Sequence, residues 1–457
     1  MKKLILIQFV LALLLTSCLV GKKYSRPEMA IPEKYINSDS VTLTADSTAN
    51  VPRDSIINLQ WFNLFNDKTL NALIQQALDS NTNLKIAALR VQQSRSVYLN
   101  AKASIWPSIG YSAQAQIQDP DIDNFNAFGT ASWELDFWGK IRHAKRAAYA
   151  ELIASNEGLK AVKTTLVSDV ANLYFLMRDL DNRIVVSEQT LASRTLYYNM
   201  VNERFLKGES AELDKLQAEQ QLALVEASIK GLQRELEVTE RSLNILLGQN
   251  PQSIARGLKN AEQTVLPAIP VGLQSSLLLR RPDVKAAENI LIAETERIGM
   301  YQAMRLPSFS LTGFFGLASA DIETLGQSMA GGITGMIMGP LFEFGRNKRR
   351  VDIQKAEAEI AVNNFMNTYR IALADVENAL TGIQTYRDEL TARQRQVNAA
   401  NKALMLTKAK YDQGYSSYLE VLIAESYAYD AEMLLSITRG QQLSATVSLY
   451  RALGGGW

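Results

Sequence analysis

Two hydrophobic periods alternate along this chain. From Pro107 the apolar residues fall on every second position: Ile109, Tyr111, Ala113, Ala115 and Ile117 alternate with Ser108, Ser112, Gln114, Gln116 and Gln118. From Asn124 the same parity returns. Phe125, Ala127, Ala131, Trp133, Leu135 and Phe137 stand against Asn124, Asn126, Thr130, Ser132, Glu134 and Asp136, with Phe128 the exception. A period of two is a strand with one apolar and one polar face. Asp119-Pro-Asp-Ile-Asp123 between the runs is a turn. The pattern predicts a hairpin with strands 107–118 and 124–137. Strands of about ten residues cross a bilayer when tilted, and Trp106, Trp133 and Trp138 suit an aromatic girdle.

Further on the period becomes seven. Val170, Met177, Ile184, Leu191, Tyr198 and Phe205 recur at every seventh residue. This is coiled-coil-like packing, since an ordinary amphipathic helix drifts away from strict sevens. No proline lies between Pro120 and Pro251 or after Pro340, so nothing of that kind interrupts helices over 140–207 and 346–413. Each would be roughly 100 Å long at 1.5 Å per residue, which predicts an elongated helical bundle or tube.

The second half repeats the first. Val376, Ile383, Leu390, Val397, Leu404 and Tyr411 stand 206 residues beyond the first stripe, as Gly345 does beyond Gly139, Gly414 beyond Gly208 and Leu453-Gly454 beyond Leu247-Gly248. Upstream the offset is 200, from Pro107 to Pro307 and from Ala87 to Ala287. A repeat of this size is a tandem duplication, with copies at 61–259 and 260–457 and a longer strand-to-strand loop in the second. The second hairpin is expected at 307–317 and 329–342, where Gly331, Gly332, Gly335 and Gly339 dilute the alternation. Four strands cannot close a barrel, and an open sheet edge is not viable in lipid. Closure therefore demands several copies of the chain.

The start of the chain adds an address. Residues 1–17 carry Lys2, Lys3 and the apolar run Leu4 to Leu15, which is too short to span a bilayer. The run ends in Leu15-Thr-Ser-Cys18, which resembles a bacterial lipobox. Acylation of Cys18 would anchor the chain through its buried methylenes, about 0.8 kcal/mol each. Residues 18–60 then read as a polar, lipidated arm. No later apolar run is long enough for a transmembrane helix, so any further span must be made of strands.

Composition removes several function classes. Charged residues make up 21%, hydrophobic residues 47%, and the net charge is +1, which argues against disorder, a polytopic helical membrane protein and a nucleic-acid partner. One cysteine and one histidine leave no intrachain disulfide and no zinc site of the Cys/His kind. His143, amid Lys140, Arg142, Lys145 and Arg146, reads as part of a solvated helical face. Met329, Met336 and Met338 read as packing. No catalytic residue, metal or cofactor is expected beyond the lipid on Cys18.

Several segments together carry a family resemblance: the lipobox at Cys18, Gly21-Lys-Lys-Tyr-Ser-Arg-Pro27, Arg280-Arg-Pro-Asp-Val284, Pro340-Leu-Phe-Glu-Phe-Gly-Arg346 and the paired glycine turns. The chain resembles the TolC-like outer-membrane efflux factors, in particular their lipoprotein branch. The resemblance implies a mainly α fold with a membrane β-barrel. Three chains would form a twelve-stranded outer-membrane barrel continued by a periplasmic α-helical tunnel. The homotrimer would be a passive exit channel, docked on a periplasmic adaptor protein and an inner-membrane pump. It also implies a gate at the tunnel tip, beside the helix-turn glycines Gly208 and Gly414, with Asp214, Glu420, Tyr411 and Phe205 as candidates. Ser416 stands where the family has a gate arginine, and Ile423 where it has another acid.

Local readings compete with those roles. Ser417-Tyr-Leu-Glu420 is a capping box, and Asp214 is an acid in a first helical turn, favoured by the helix dipole. Arg280 and Arg281 are either functional contacts or structural residues before a helix opened by Pro282. For the whole chain, a periplasmic coiled-coil adaptor without a pore is the alternative to a conduit. The exported substrate is not legible.

Overall fold

The computed structural model describes residues 20–28, 67–116, 124–263 and 275–455. Cys18, the signal segment, most of the arm and the 119–123 turn lie outside the described residues. Helices α1 (Lys68–Ser80) and α2 (Thr82–Ala103) lead into strands β1 (Ser108–Gln116) and β2 (Asn124–Leu135). Helices α3 (Lys140–Leu206) and α4 (Glu212–Leu246) follow. The order then recurs as α5 (Pro282–Ala303), β3 (Ser308–Ser319), β4 (Met329–Met338), α6 (Arg346–Asp412) and α7 (Tyr418–Ala452). α3 and α6 each have 67 residues and α4 and α7 each have 35, with starts displaced by 206. The duplication is thus reproduced from α2 onward, while a 3-10 helix, Ser275–Arg280, stands before α5 where the first copy has α1. Of the described residues, 67–86, 159–263, 275–282 and 369–455 fall in one compact unit, and 20–28, 87–116, 124–158 and 283–368 in another, so both copies contribute to both units.

The unit built on 87–158 and 283–368 holds one antiparallel sheet in the order β1-β2-β3-β4. Ser108 faces Ser132 in the first hairpin, and Ser308 faces Met338 in the second. The same offsets of 200 and 206 relate these pairs. β2 and β3 join the hairpins, with Leu135 opposite Phe309 and Phe125 opposite Ser319. Odd positions pair only with odd positions across all four strands. Most of the large apolar residues therefore share one face and the serines, threonines and amides the other, where Phe128, Phe314, Met336 and Met338 also stand. β4 stops at Met338 rather than continuing to 342. Pro340 has no N–H for a ladder, and Gly339 packs so closely on Pro307 that a Cβ there would lie 2.8 Å from its Cα. Trp133 donates to the Ile105 carbonyl at 2.9 Å and Trp138 to that of Pro307 at 2.8 Å, so both indoles are seated at strand ends.

His143 overturns its sequence reading: it is 2% exposed, not solvated. Nδ1 lies 2.6 Å from Glu296 Oε2, and Nε2 lies 2.9 Å from the Val20 carbonyl. Its surroundings in sequence are basic, but its partners come from α5 and from the N-terminal arm, where no local window can see them. The same arm is held further along. Arg26 donates twice to Glu288, at 2.7 and 2.8 Å, and Tyr24 donates to it at 3.0 Å. Burial, reinforced by the Glu288 charge, pushes the Tyr24 hydroxyl up to about 12.

The other unit holds the long-helix core: Leu70, Ile74, Val170, Tyr174, Phe175, Met177, Leu243, Leu247, Leu443 and Val447. Asp67 caps α1 through Thr69 N at 2.8 Å and Leu70 N at 3.3 Å. Its carboxylate also accepts from Tyr174 Oη at 2.6 Å and Gln263 Nε2 at 2.9 Å. Arg281 is buried and donates to the Ala452 carbonyl at 2.9 Å and to Asp375 at 3.1 Å. It closes the C-terminal end of α7, a structural role, just before Pro282 opens α5.

Candidate functional site

The two helix turns are built alike. In the first, Gly208 N donates to Phe205 O at 2.9 Å and Glu209 N to Arg204 O at 2.8 Å. In the second, Gly414 N donates to Tyr411 O at 2.9 Å and Tyr415 N to Lys410 O at 2.8 Å. This is the hydrogen-bond pattern of a Schellman motif. Gly208 and Gly414 have φ of 77° and 78°, the left-handed region that glycine enters without steric cost.

Beyond the glycines the copies differ. Ser417 caps α7 by accepting from Glu420 N at 3.4 Å. The Glu420 carboxylate in turn accepts from Ser416 Oγ at 2.6 Å and Ser417 Oγ at 3.3 Å. Those bonds, Ser416 first, hold the Glu420 carboxyl below its ordinary range. In the first copy the cap position is Ala211, which offers no side-chain bond, and Asp214 accepts from Ser210 Oγ at 3.1 Å. Glu420 and Asp214 thus each bond within their own turn, and no bond joins them among the described residues.

Tyr411 belongs to an aromatic cluster. Its ring lies 5.9 Å from that of Tyr418, which lies 6.0 Å from that of Tyr197. Val201, Ala218, Val421 and Leu422 complete the packing. Arg204 Nη1 donates to the Tyr411 hydroxyl at 3.2 Å. Phe205 is half-buried, with the Lys215 ammonium 5.3 Å from its ring centroid.

A group missed by sequence reasoning lies along α3. A second seven-residue stripe, Leu166, Leu173, Leu180, Ser187, Arg194 and Val201, runs beside the first and is buried or half-buried throughout. Two of its members are polar. Ser187 Oγ lies 3.0 Å from the Tyr429 hydroxyl. Arg194 is 2% exposed, faces Glu425 at 3.7 Å and donates to the Gln221 carbonyl at 2.7 Å. Glu425 also accepts from Ser193 Oγ at 2.7 Å and from Lys408 Nζ at 3.3 Å. Burial pulls the Arg194 guanidinium down, and burial with the Glu425 charge pushes the Tyr418 hydroxyl up. The signal that could have found this cluster is an arginine at a seam position of a heptad pattern, which fixes register at a cost in stability.

Among the described residues no cluster of His, Cys, Asp and Glu could hold a metal ion, and no helix is long and apolar enough to cross a membrane. The contacts described at the turns and along α3 are helix caps, aromatic packing and ion pairs.

Comparison with known proteins agrees with this geometry. The pattern of the family described as "Outer membrane efflux protein" matches residues 73–249 and 273–455. The cation efflux system protein CusC of Escherichia coli is 31% identical over 460 residues, covering 99% of each chain. Outer membrane protein OprJ of Pseudomonas aeruginosa is 30% identical, over 98% of this chain and 95% of that one. The probable outer membrane lipoprotein SilC of Salmonella typhimurium is 28% identical over the full length of both. A crystal structure of CusC superposes with a TM-score of 0.84 at 29% identity, covering 96% of this chain and all of that one. The open state of the Neisseria gonorrhoeae MtrE outer membrane channel gives 0.86 at 27%, covering 96% and 98%. The conduit reading therefore stands over the adaptor alternative. The chain belongs to the outer membrane efflux protein family and is the outer-membrane channel of a tripartite efflux system, extending into the periplasm.

Proposed function

We propose that the chain works as a homotrimer in which β4 of one copy pairs with β1 of the next. Three four-stranded sheets then close a twelve-stranded barrel. The observation that carries this reading is the sheet itself: β1 and β4 are edges, and the face parity runs unbroken to both. The internal repeat supplies a register for the missing seam. β2 pairs with β3 by setting Leu135 opposite Phe309 and Ser132 opposite Thr312. Moved by 206 and 200, these pairs become Leu341 opposite Ile109 and Met338 opposite Ser112 of a neighbouring copy. Odd positions again meet odd positions, so the apolar face continues around the ring.

Exposed residues fit the same seam. Trp138 is seated on Pro307, and its counterpart 206 residues on is Phe344, which is 90% exposed with φ of 50°. Pro107 of the neighbour is the corresponding seat. Leu341 and Phe342 are also exposed, as is Ile109 on the opposite edge.

Within this assembly Cys18 carries the lipid anchor, and a periplasmic adaptor and an inner-membrane pump deliver the cargo. Curated relatives include a cation efflux protein and a toluene efflux protein, so cargo choice rests mainly with the pump. Gly208 and Gly414 turn the helices at the tunnel tip, where Asp214, Glu420, Tyr411 and Phe205 line the gate. A ring of carboxylates there would attract cations at a constriction.

The test combines covalent trapping with conductance. A chain carrying Met338→Cys and Ser112→Cys should give a covalent trimer on oxidation, and the purified oligomer should conduct in planar bilayers. Absence of both would sink the proposal. For the gate, Asp214→Ala with Glu420→Ala should raise conductance, whereas Ser417→Ala, which removes the cap and leaves the Glu420 carboxylate its shorter bond to Ser416, should not. Equal conductance in all of them would leave the acids as caps alone.

A further inference from the structure

Phe128 breaks the strand parity: it stands at an even position, among the serines, threonines and amides. Phe314 does the same in β3. The register explains their meeting. Phe128 lies opposite Gly316 and Thr130 opposite Phe314, so the two rings are diagonal neighbours on one face. They touch edge to face, with centroids 5.2 Å apart and planes at 66°. Glycines make the room. A Cβ at Gly332 would fall 3.1 Å from the Phe314 ring, and one at Gly316 would fall 2.8 Å from Phe128 Cα and closer still to the Ala127 carbonyl. Neither position could carry an ordinary side chain without displacing its neighbours.

The electrostatics of that face are one-sided. The four strands contain no lysine, arginine or histidine. Their single charged residue is Glu134, which pairs with Lys140 at 2.5 Å. Otherwise the even face offers hydroxyls, amides, methionine sulfurs and the two rings. The face carries no cationic side chain to pair with an anion, and the ring faces present negative quadrupole density.

We propose that Phe128 and Phe314 form an aromatic station in the pore that holds organic cations in transit, namely quaternary or protonated amines and related onium ions with an apolar body. The station rests on the barrel closure above, which turns the even face inward and places three such pairs around one pore. An organic cation sheds little hydration when it meets a ring, and its apolar body gains contact with both phenyl groups. A small inorganic cation keeps its water shell and passes with little interaction. Anions meet hydroxyl and amide donors but no cationic side chain, and the ring faces repel them. The cargo range of the channel would then be filtered weakly at the barrel, in addition to selection by the pump.

The probe is tetraphenylphosphonium, applied to the full-length oligomer from the barrel side in planar bilayers. The comparison is between wild type and Phe128→Leu/Phe314→Leu, which keeps apolar bulk and removes the rings. Block by tetraphenylphosphonium should weaken about tenfold in the variant, while potassium chloride conductance stays within about twofold. Equal block in the two proteins overturns the proposal, and so does a conducting wild type that is not blocked. Equilibrium binding of the same probe to the detergent-solubilised oligomer needs no open gate. Equal affinities there again overturn it. Channels that fail to conduct while the affinity difference persists would count against the conduit reading and leave the aromatic station standing.

Discussion

Replacing Glu425 by Gln tests the polar seam next to the glycine turns. The change keeps the shape of the side chain and removes one charge from a site that is 4% exposed. Arg194, 2% exposed, then loses its ion-pair partner. Breaking a buried ion pair from one side costs about 3–5 kcal/mol, because the remaining charge stays desolvated. Two features place this case at the lower end. The Lys408 side chain is 28% exposed and can turn toward water, and Arg194 retains the Gln221 carbonyl at 2.7 Å. The expected loss is about 3 kcal/mol. Hydrogen exchange at the α3 and α7 amides around Arg194 and Glu425 reads it directly, since local opening should become easier by about two orders of magnitude. Adding Arg194→Met removes the stranded charge. The double variant should then lose less than the sum of the singles, with a coupling of about 2 kcal/mol. A shift below about 0.5 kcal/mol for Glu425→Gln, or simple additivity, would refute the assignment of this pair as a buried, interacting unit.

Other perturbations address the turns and the arm. Gly208→Ala and Gly414→Ala should each destabilise by about 1 kcal/mol, because both positions need positive φ, and thermal melts of the singles and the double should show the costs adding. Gly299→Ala should cost about 1–3 kcal/mol, since the new Cβ would lie 2.5 Å from the His143 ring. Limited proteolysis should find the N-terminal arm released in that variant. Ala211→Ser should stabilise the start of α4 by about 1 kcal/mol by supplying the cap that the second copy already has at Ser417, read as slower exchange of the first α4 amides. The Glu420 carboxyl is held below its ordinary value of 4.5 in the folded chain. Its contribution is therefore complete above that value and is lost as pH falls through the lower folded value. Exchange at the start of α7 should quicken on acidification below pH 4.5, and Glu420→Gln should abolish that dependence.

The elements were legible where their cause is local and periodic. Strict sevens from Val170 to Phe205 and alternation from Ile109 to Ala115 are properties of short windows, and the helices and strands follow them closely. The 206-residue offset was legible because duplication copies backbone requirements with the rest, including the glycines with positive φ. What escaped notice was long-range. His143 finds its acceptors at Glu296 and Val20, and Arg194 finds Glu425 across 231 positions of chain. A basic neighbourhood made the histidine look solvated, although burial is decided by what packs on it. Glu420 was readable as a cap because Ser417 lies three residues away. Whether it also gates depends on neighbouring copies, whose placement no local pattern encodes.

The two copies diverge in a way that bears on why they are fused. Backbone devices are kept in both, including the glycine turns, the helix lengths and the hairpin register. Polar seam positions are not. Arg194 corresponds to Ala400 and Lys408 to Asn202, while Glu425 corresponds to Glu219, which is exposed. An assembly of identical half-chains would have to repeat one seam everywhere. Joining unlike halves lets the two copies differ, so that α3 is locked to α6 and α7 by charge while the corresponding positions, Ala400 and Asn202, lack the arginine and the lysine. The same asymmetry holds at the turns, where Ser416 and Ser417 pin Glu420 but Ala211 leaves the first copy without a side-chain cap. In the trimer proposed above, a motion that opens the proposed gate would meet unequal resistance at alternate helix pairs and would begin at the weaker seams beside the uncapped turn.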